Sequence, residues 1–179
     1  MPHRISLLRG INVGGRNIVP MKPLCAMLTE HGYGDVKSVI QSGNLVFDVP
    51  AKRSDAALAT EISDLIEKGF DVKPRAFVLK EDAFRSTIED NPFADRPDAE
   101  KSVHFWFLDG KPASSGLKKL EELKTDSESF ELKGPVFYLH APDGIGRSKL
   151  AEVVEKALGV PTTARKLSTL LKMLALREG

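Results

Sequence analysis

The chain has a single cysteine, Cys25, among its 179 residues, and this excludes an internal disulfide. Its four histidines are scattered and lack the short fixed spacings of zinc ligands, so we predict no structural metal site. No apolar run approaches the length that spans a bilayer. The first residues lead directly into a strand pattern without a signal-peptide motif. We therefore expect a cytoplasmic protein with no membrane partner.

An excess of charge of one sign is also lacking. The formal net charge is +1, and charged residues make up 28% of the chain and hydrophobic residues 41%, as in ordinary globular domains. A nearly neutral chain is not a general polyanion binder, so any basic site must be local. The length suits one large domain or two small ones that share a core.

The hydrophobic pattern of the first 80 residues predicts the order βαββαβ. The predicted helices are at about 21–32 and 54–69, and the predicted strands are at about 3–9, 36–40, 44–49 and 74–80. The glycine and asparagine of Gln41-Ser42-Gly43-Asn44 are typical of a tight hairpin turn. This order is that of the ferredoxin-like split βαβ unit.

The second half resembles the first. Residues 103–110 align with residues 3–10, residues 129–138 align with residues 38–47, and Arg165 falls where Arg75 falls. This predicts an α+β fold with two ferredoxin-like βαββα(β) subdomains related by duplication, plus a C-terminal helix at about 168–176. The expected divisions are a first subdomain at 1–80, a helix and linker at 81–101, and a second subdomain with the C-terminal helix at 102–179.

The loop Arg9-Gly10-Ile11-Asn12-Val13-Gly14-Gly15-Arg16-Asn17 is the first candidate site. Its glycines permit positive φ angles, and its arginines and asparagines supply hydrogen-bond donors. Its glycine spacing is that of a Walker A loop, but the required lysine and hydroxyl are replaced by Arg16 and Asn17. We therefore do not predict an NTPase. Two interpretations stay open, which are a ligand-facing loop and an insertion whose asparagines bind their own backbone.

The segment Asp143-Gly144-Ile145-Gly146-Arg147-Ser148-Lys149 is the second candidate, because it precedes a predicted helix. Unpaired N–H groups and the helix dipole favour an anion there, and the basic side chains add to this. The alternative is that Ser148 only caps the helix.

The turn at 41–44 and Arg165 are weaker candidates. We expect the β1–α1 loop and the β2–β3 turn to lie at opposite ends of one sheet, so that the turn would meet only a loop of the other half. Arg165, after Thr163, could reach an anion. The alternative for the turn at 41–44 is a plain hairpin turn, and the alternative for Arg165 is a solvated basic face.

These stretches together resemble a bacterial family of domains of unknown function, number 1697. The matching residues are 9–15 with Asn17 and Met21, 41–44 with Phe47, 143–150, and Thr163, Arg165 and Lys172. The resemblance implies two similar α+β subdomains and no established activity. Where the family has Arg-Asn-Trp before its last helix, this chain has Arg165-Lys166-Leu167.

The leading hypothesis is an anion-binding cleft between the two subdomains, for a nucleotide or a phosphorylated metabolite. The sequence identifies neither a cofactor nor a reaction, and it allows a monomer or a homodimer. A second hypothesis is a nucleic-acid module that uses Phe105, Trp106 and Phe107, and a third is a protein–protein interaction domain. The predicted ligand-binding residues are Arg9, Asn12, Gly14, Gly15, Asn17, Gln41, Ser42, Asn44, Gly144, Gly146, Arg147, Ser148, Lys149 and Arg165.

Overall fold

The computed structural model describes residues 1–50 and 52–179. The chain divides into two compact units. The first contains residues 1–86 and 171–179, and the second contains residues 87–170. Each unit has its own four-stranded sheet.

The first unit is a ferredoxin-like βαββαβ fold. Its elements are β1 (His3–Arg9), α1 (Met21–Glu30), β2 (Gly34–Val39), β3 (Asn44–Asp48), α2 (Asp55–Phe70) and β4 (Arg75–Lys80), followed by α3 (Glu81–Glu89), which begins in this unit and ends in the second. The strand order is β2-β3-β1-β4, and all neighbours are antiparallel. Strand β1 is therefore central, and five of its seven residues are buried.

Helices α1 and α2 cover one face of this sheet. Leu8, Leu45 and Phe47 on the strands form one buried cluster with leucines and isoleucines of both helices. Helix α2 begins where the Ser54 hydroxyl accepts a hydrogen bond from the Ala57 amide. Cys25 is half-buried against the same cluster, as a small hydrophobic residue would be.

The second unit repeats this topology. Its elements are α4 (Ala99–Ser102), β5 (Val103–Leu108), α5 (Ser114–Leu123), β6 (Ser129–Lys133), β7 (Val136–His140), α6 (Lys149–Leu158) and β8 (Thr162–Lys166). The strand order is β6-β7-β5-β8, which matches the first sheet position by position. Helix α7 (Leu167–Glu178) begins in this unit and continues in the first.

Helices α5 and α6 pack on the second sheet around Trp106, Phe137 and Leu139. The helices approach very closely at Gly116. A Cβ atom at this position would lie 1.9 Å from the carbonyl oxygen of Ala157. The contact requires glycine, because any side chain there would overlap the backbone of α6.

The two four-stranded antiparallel sheets with flanking helices confirm the predicted ferredoxin-like fold class. The predicted equivalence of Arg165 and Arg75 was wrong. Arg75 pairs with Arg9 near the end of β1, whereas Arg165 pairs with Phe105 near the start of β5. The two arginines therefore lie at different levels of their sheets, because strand register and not distance from the preceding helix sets their position.

The C-terminal part of α7 is held by ion pairs within the first unit. The Arg177 side chain is only 5% exposed and contacts the carboxylates of Asp35, Asp48 and Glu81. Burial acts to raise the pKa of Asp48, but hydrogen bonds from His3 and Arg177 outweigh it and lower that pKa. In the described residues, no helix is both long and apolar enough to cross a membrane.

Candidate functional site

Three connections of the first unit lie at the same end of its sheet. They are the β1–α1 loop, the β2–β3 turn and the α2–β4 connection at 71–74. The Leu8 amide donates to the Gly43 carbonyl at 2.8 Å, and β1 and β3 are antiparallel. The end of β1 therefore lies beside the start of β3. The expectation that the loop and the turn occupy opposite ends was wrong for this reason.

The β1–α1 loop contains a small hairpin. An isolated antiparallel bridge joins Val13 and Arg16, and the Arg16 amide donates to the Val13 carbonyl at 3.0 Å. Gly14 and Gly15 between them have φ angles of 57° and 73°. Two successive positive φ angles define the tight hairpin turn for which glycine is preferred. These glycines form a turn, and the loop is not the phosphate cradle of an NTPase.

The Asn12 carboxamide holds this loop in place. Its Nδ2 donates to the carbonyls of Val19 and Gln41 at 2.9 and 2.7 Å, and its Oδ1 accepts from the Val19 amide at 2.8 Å. Asn17 Nδ2 likewise donates to the Gly10 carbonyl at 2.9 Å. Both asparagines therefore bond to backbone, as the second interpretation of the loop requires.

A basic depression of about 400 Å³ lies at this same end of the first unit. Three of the side chains that line it are cationic and one is acidic. The lining residues are Arg9, Gly10, Asn17, Asp71, Val72, Lys73, Pro74 and Arg75. Among the predicted site residues, the depression brings together Arg9 and Asn17.

Arg9 and Arg75 are directly opposite each other on neighbouring antiparallel strands. Directly opposite residues share one face of a sheet, with Cα atoms about 4.5–5.5 Å apart. Like charges at such positions destabilise the strand pair. Lys73 extends the positive charge, and its pKa is raised by hydrogen bonds to Glu67 and Asp64. Lys73 is ion-paired with Asp64 and Glu67 at 3.0 and 2.9 Å, so an anion at this place would be attracted mainly by Arg9 and Arg75.

The second candidate segment lies in the second unit, at the start of α6. Ser148 is buried, and its hydroxyl accepts a hydrogen bond from the Ala151 amide while it donates to the carboxylate of Glu128. Glu128 is itself 5% exposed. A negative charge is therefore already beside this helix N-terminus. Gly144, Gly146, Arg147 and Lys149 are exposed.

Arg165 is in strand β8, near the same end of the second sheet as residues 144–149. Its guanidinium donates to Thr163 Oγ1 at 2.8 Å and to the Ala164 carbonyl at 2.9 Å. Burial lowers the pKa of Arg165 to about 10. The neighbouring Lys166 is exposed, and Leu167 is buried at the start of α7.

The aromatic residues of β5 are not available to stack on bases. Trp106 packs edge-on against Phe137 in the core, with ring centroids 5.8 Å apart. Phe105 and Phe107 on the opposite face are 0% and 2% exposed. A sheet that reads RNA needs exposed rings. In the described part of the chain, no group of three His, Cys, Asp or Glu side chains could hold a metal ion.

The fold and these loops define an α+β protein built from two ferredoxin-like units. A sequence model of the family described as "Protein of unknown function (DUF1697)" matches residues 1–138, and the chain belongs to that family. The match ends before Asp143. No curated protein matches the chain.

A solved structure is similar over nearly the whole length. It is that of the conserved bacterial protein SP0830 from Streptococcus pneumoniae, with 23% sequence identity, a TM-score of 0.76 and coverage of 98% of both chains. At this identity the similarity shows the fold.

Sequence reasoning missed Lys73 and Asp71, and it did not place Arg75 in a site. The predicted βαββαβ order was enough to place these residues near the end of β1. In a βαββαβ unit, the α2–β4 connection returns to the end of the sheet where β1 ends. The antiparallel register then places the first residue of β4 beside the last residue of β1.

Proposed function

We propose that this protein binds a phosphate-bearing small molecule in the depression at the end of the first sheet. The observation that carries this proposal is the Arg9–Arg75 pair, two cations held on the same face of adjacent strands. Two adjacent guanidinium groups suit a phosphate, because each offers planar, charge-assisted hydrogen bonds. Lys73 at the rim is ion-paired with Asp64 and Glu67, so the proposal depends on the two arginines.

The composition of the site favours a phosphorylated metabolite over a nucleotide. The described residues that line the depression include no aromatic ring that could stack on a base. Asn17 and Asp71 supply acceptors, which suit hydroxyl groups beside the phosphate. The proposal is confined to the first unit, because the Ser148 hydroxyl in the second unit already binds the carboxylate of Glu128.

The test is isothermal titration calorimetry with inorganic phosphate and pyrophosphate, at low and at physiological salt. We expect Arg9→Gln and Arg75→Gln each to weaken pyrophosphate binding by about tenfold or more, because hydrogen bonds to charged groups contribute roughly 1.5–3 kcal/mol. Arg147→Gln is the matched control. It removes an exposed arginine from the second unit and leaves the depression intact.

Equal affinity of the Arg9→Gln/Arg75→Gln double variant and the wild type would refute the site. A loss of binding in Arg147→Gln alone would transfer the site to the segment at 144–149. A bound phosphate should also raise the melting temperature, since a ligand that binds only the folded state stabilises it by mass action.

A further inference from the structure

His3 lies at the other end of the first sheet from the basic depression. It is the first residue of β1, and Arg9, which lines the depression, is the last. His3 is directly opposite Asp48 on the neighbouring strand β3. Arg177, near the end of α7, contacts the same Asp48 carboxylate. This cluster is therefore separate from the site proposed above.

One nitrogen of the His3 ring faces two partners with opposite requirements. Its Nδ1 lies 2.6 Å from Asp48 Oδ1, and the guanidinium of Arg177 contacts the same Nδ1. An ionised carboxylate can only accept a hydrogen bond, so Asp48 requires a proton on Nδ1. A guanidinium can only donate, so Arg177 requires the lone pair of an unprotonated Nδ1. One nitrogen cannot meet both requirements at once, and its protonation therefore decides which partner it binds.

The groups around Nδ1 allow His3 to change state while Asp48 stays ionised. Burial acts to raise the pKa of Asp48, but its hydrogen bonds with His3 and Arg177 lower that pKa overall. The side chain of His3 is 53% exposed, so it exchanges protons directly with solvent. The Arg177 side chain is 5% exposed, so its position depends on the partners that it contacts.

Other contacts of α7 in this cluster do not involve histidine. The Arg177 guanidinium also pairs with Asp35 and Glu81, at 3.3 and 3.1 Å, and Glu178 pairs with Arg85 at 3.0 Å. Histidine is the side-chain type whose charge ordinarily changes between about pH 5 and pH 8. His3 therefore adds a pH-sensitive contact to ion pairs between carboxylates and arginines. The charged groups that face His3 directly or through Arg177 are Asp35 and Lys37 of β2, Asp48 of β3, Glu81 and Arg85 of α3, and Arg177 and Glu178 of α7.

We propose that His3 is a pH-sensitive latch for the C-terminal end of α7. The neutral ring carries its proton on Nε2, and its Nδ1 accepts a hydrogen bond from Arg177. A second proton, taken up on Nδ1, is donated to Asp48, and the imidazolium then repels the adjacent guanidinium. The last turn of α7 (174–178) loosens, and the half-buried Leu176 becomes more accessible to solvent. The remaining ion pairs of Arg177 keep the helix attached.

Hydrogen exchange of the backbone amides at 174–178, measured by NMR on the full chain, reports this loosening. Protection factors are compared, because they correct for the intrinsic dependence of exchange on pH. We expect protection in the wild type to fall by about twofold to fivefold from pH 8 to pH 5.5, the range that one partly exposed charged pair contributes. Equal protection at the two pH values would overturn the proposal.

Three variants assign the change to His3. His3→Gln retains a side chain that forms hydrogen bonds but takes up no proton, so protection at 174–178 should not vary over this pH range. His31→Gln is the matched control and should keep the wild-type pH dependence, since His31 is exposed and its Nδ1 faces the Met27 carbonyl. Arg177→Met should lower protection by the same factor at both pH values. A pH dependence that survives in His3→Gln would exclude His3 as the latch.

The nitrogen chemical shifts of the His3 ring give a readout that a purely structural role would not change. At pH 8 we expect Nδ1 to be unprotonated, because Arg177 requires an acceptor there. In Arg177→Met the neutral ring should move its proton to Nδ1, where Asp48 accepts it. A wild-type neutral ring with its proton already on Nδ1 would show that His3 binds Asp48 at both pH values, and the exchange of partners would be refuted.

Discussion

The carboxamide of Asn12 should be the main determinant of the structure of the β1–α1 loop. It makes three hydrogen bonds to backbone, two with Val19 and one with Gln41, at 2.7–2.9 Å. At about 1 kcal/mol each, these bonds contribute roughly 3 kcal/mol to the free energy of unfolding. Asn12 also has a φ angle of 53°, which asparagine tolerates better than alanine. Asn12→Ala should therefore cost about 3–4 kcal/mol.

The assay is urea unfolding followed by circular dichroism, together with thermal melting. For a chain of this size 1 kcal/mol corresponds to about 2–4 °C, so Asn12→Ala should melt roughly 6–16 °C below the wild type. Asn17→Ala is the matched control, because Asn17 is exposed and makes one such bond, to the Gly10 carbonyl. Its cost should be about 1–2 kcal/mol. If Asn12→Ala unfolds within 1 kcal/mol of the wild type, the loop is not held by this side chain and the reasoning fails.

Three further predictions concern stability. Gly116→Ala should lower the free energy of unfolding by about 3 kcal/mol or more, because its Cβ would overlap the backbone of α6. Gly146→Ala is the control, because open space surrounds Gly146, and it should change the free energy of unfolding by less than about 1 kcal/mol. Similar melting temperatures for the two variants would contradict the close contact. Burial and the charge of Lys166 lower the pKa of His104 to about 4. As the pH falls below about 6.5, the unfolded chain binds a proton at this histidine and the folded chain does not, so the folded state loses stability. Between pH 7 and pH 4.5, the free energy of unfolding of the wild type should therefore fall by about 1–2 kcal/mol more than that of His104→Gln in denaturant titrations. The full linkage would be roughly 3 kcal/mol, and solvent screening reduces it. Parallel stability curves for the two proteins would exclude this assignment. Arg177→Gln should cost about 2 kcal/mol at pH 7, since three carboxylates each lose one of their ion-pair partners. The difference from the wild type should shrink as the pH falls through the lowered pKa of Asp48, because the protonated carboxyl no longer attracts Arg177; a cost that does not vary with pH would show that packing and not charge is involved.

Much of the fold could be predicted from local pattern. Strand β1 was predicted at its observed bounds, and α2 was predicted within one residue at each end. The apolar residues that give the sequence its alternating and helical periodicities are also the residues that form the two cores, so the pattern predicts the elements. The bounds of helix α5 and the exact pairing of the repeat were not predicted, since register depends on which strands meet and not on spacing along the chain.

The candidate site was only partly visible in the sequence. The sequence predicts positive φ angles for the glycines of the loop at 9–17, and Gly10, Gly14 and Gly15 have them. Its asparagines, however, bond to backbone, and their roles depended on the Gln41 and Val19 carbonyls brought there by folding. Lys73 and Arg75 belong to an ordinary-looking basic segment until strand pairing places Arg75 beside Arg9.

The sequence by itself determined the ferredoxin-like class, because the order of apolar periodicities is a local property that any compact arrangement must satisfy. It also determined where the backbone needs glycine, as at Gly14 and Gly15. Only the tertiary structure decided which end of the sheet the loops share, which arginines are neighbours and which polar groups are already engaged. Those facts depend on antiparallel pairing between segments about 70 residues apart, such as β1 and β4. Pairing between segments so far apart in the sequence is set by the free energy of the whole fold, so it cannot be predicted from a local pattern.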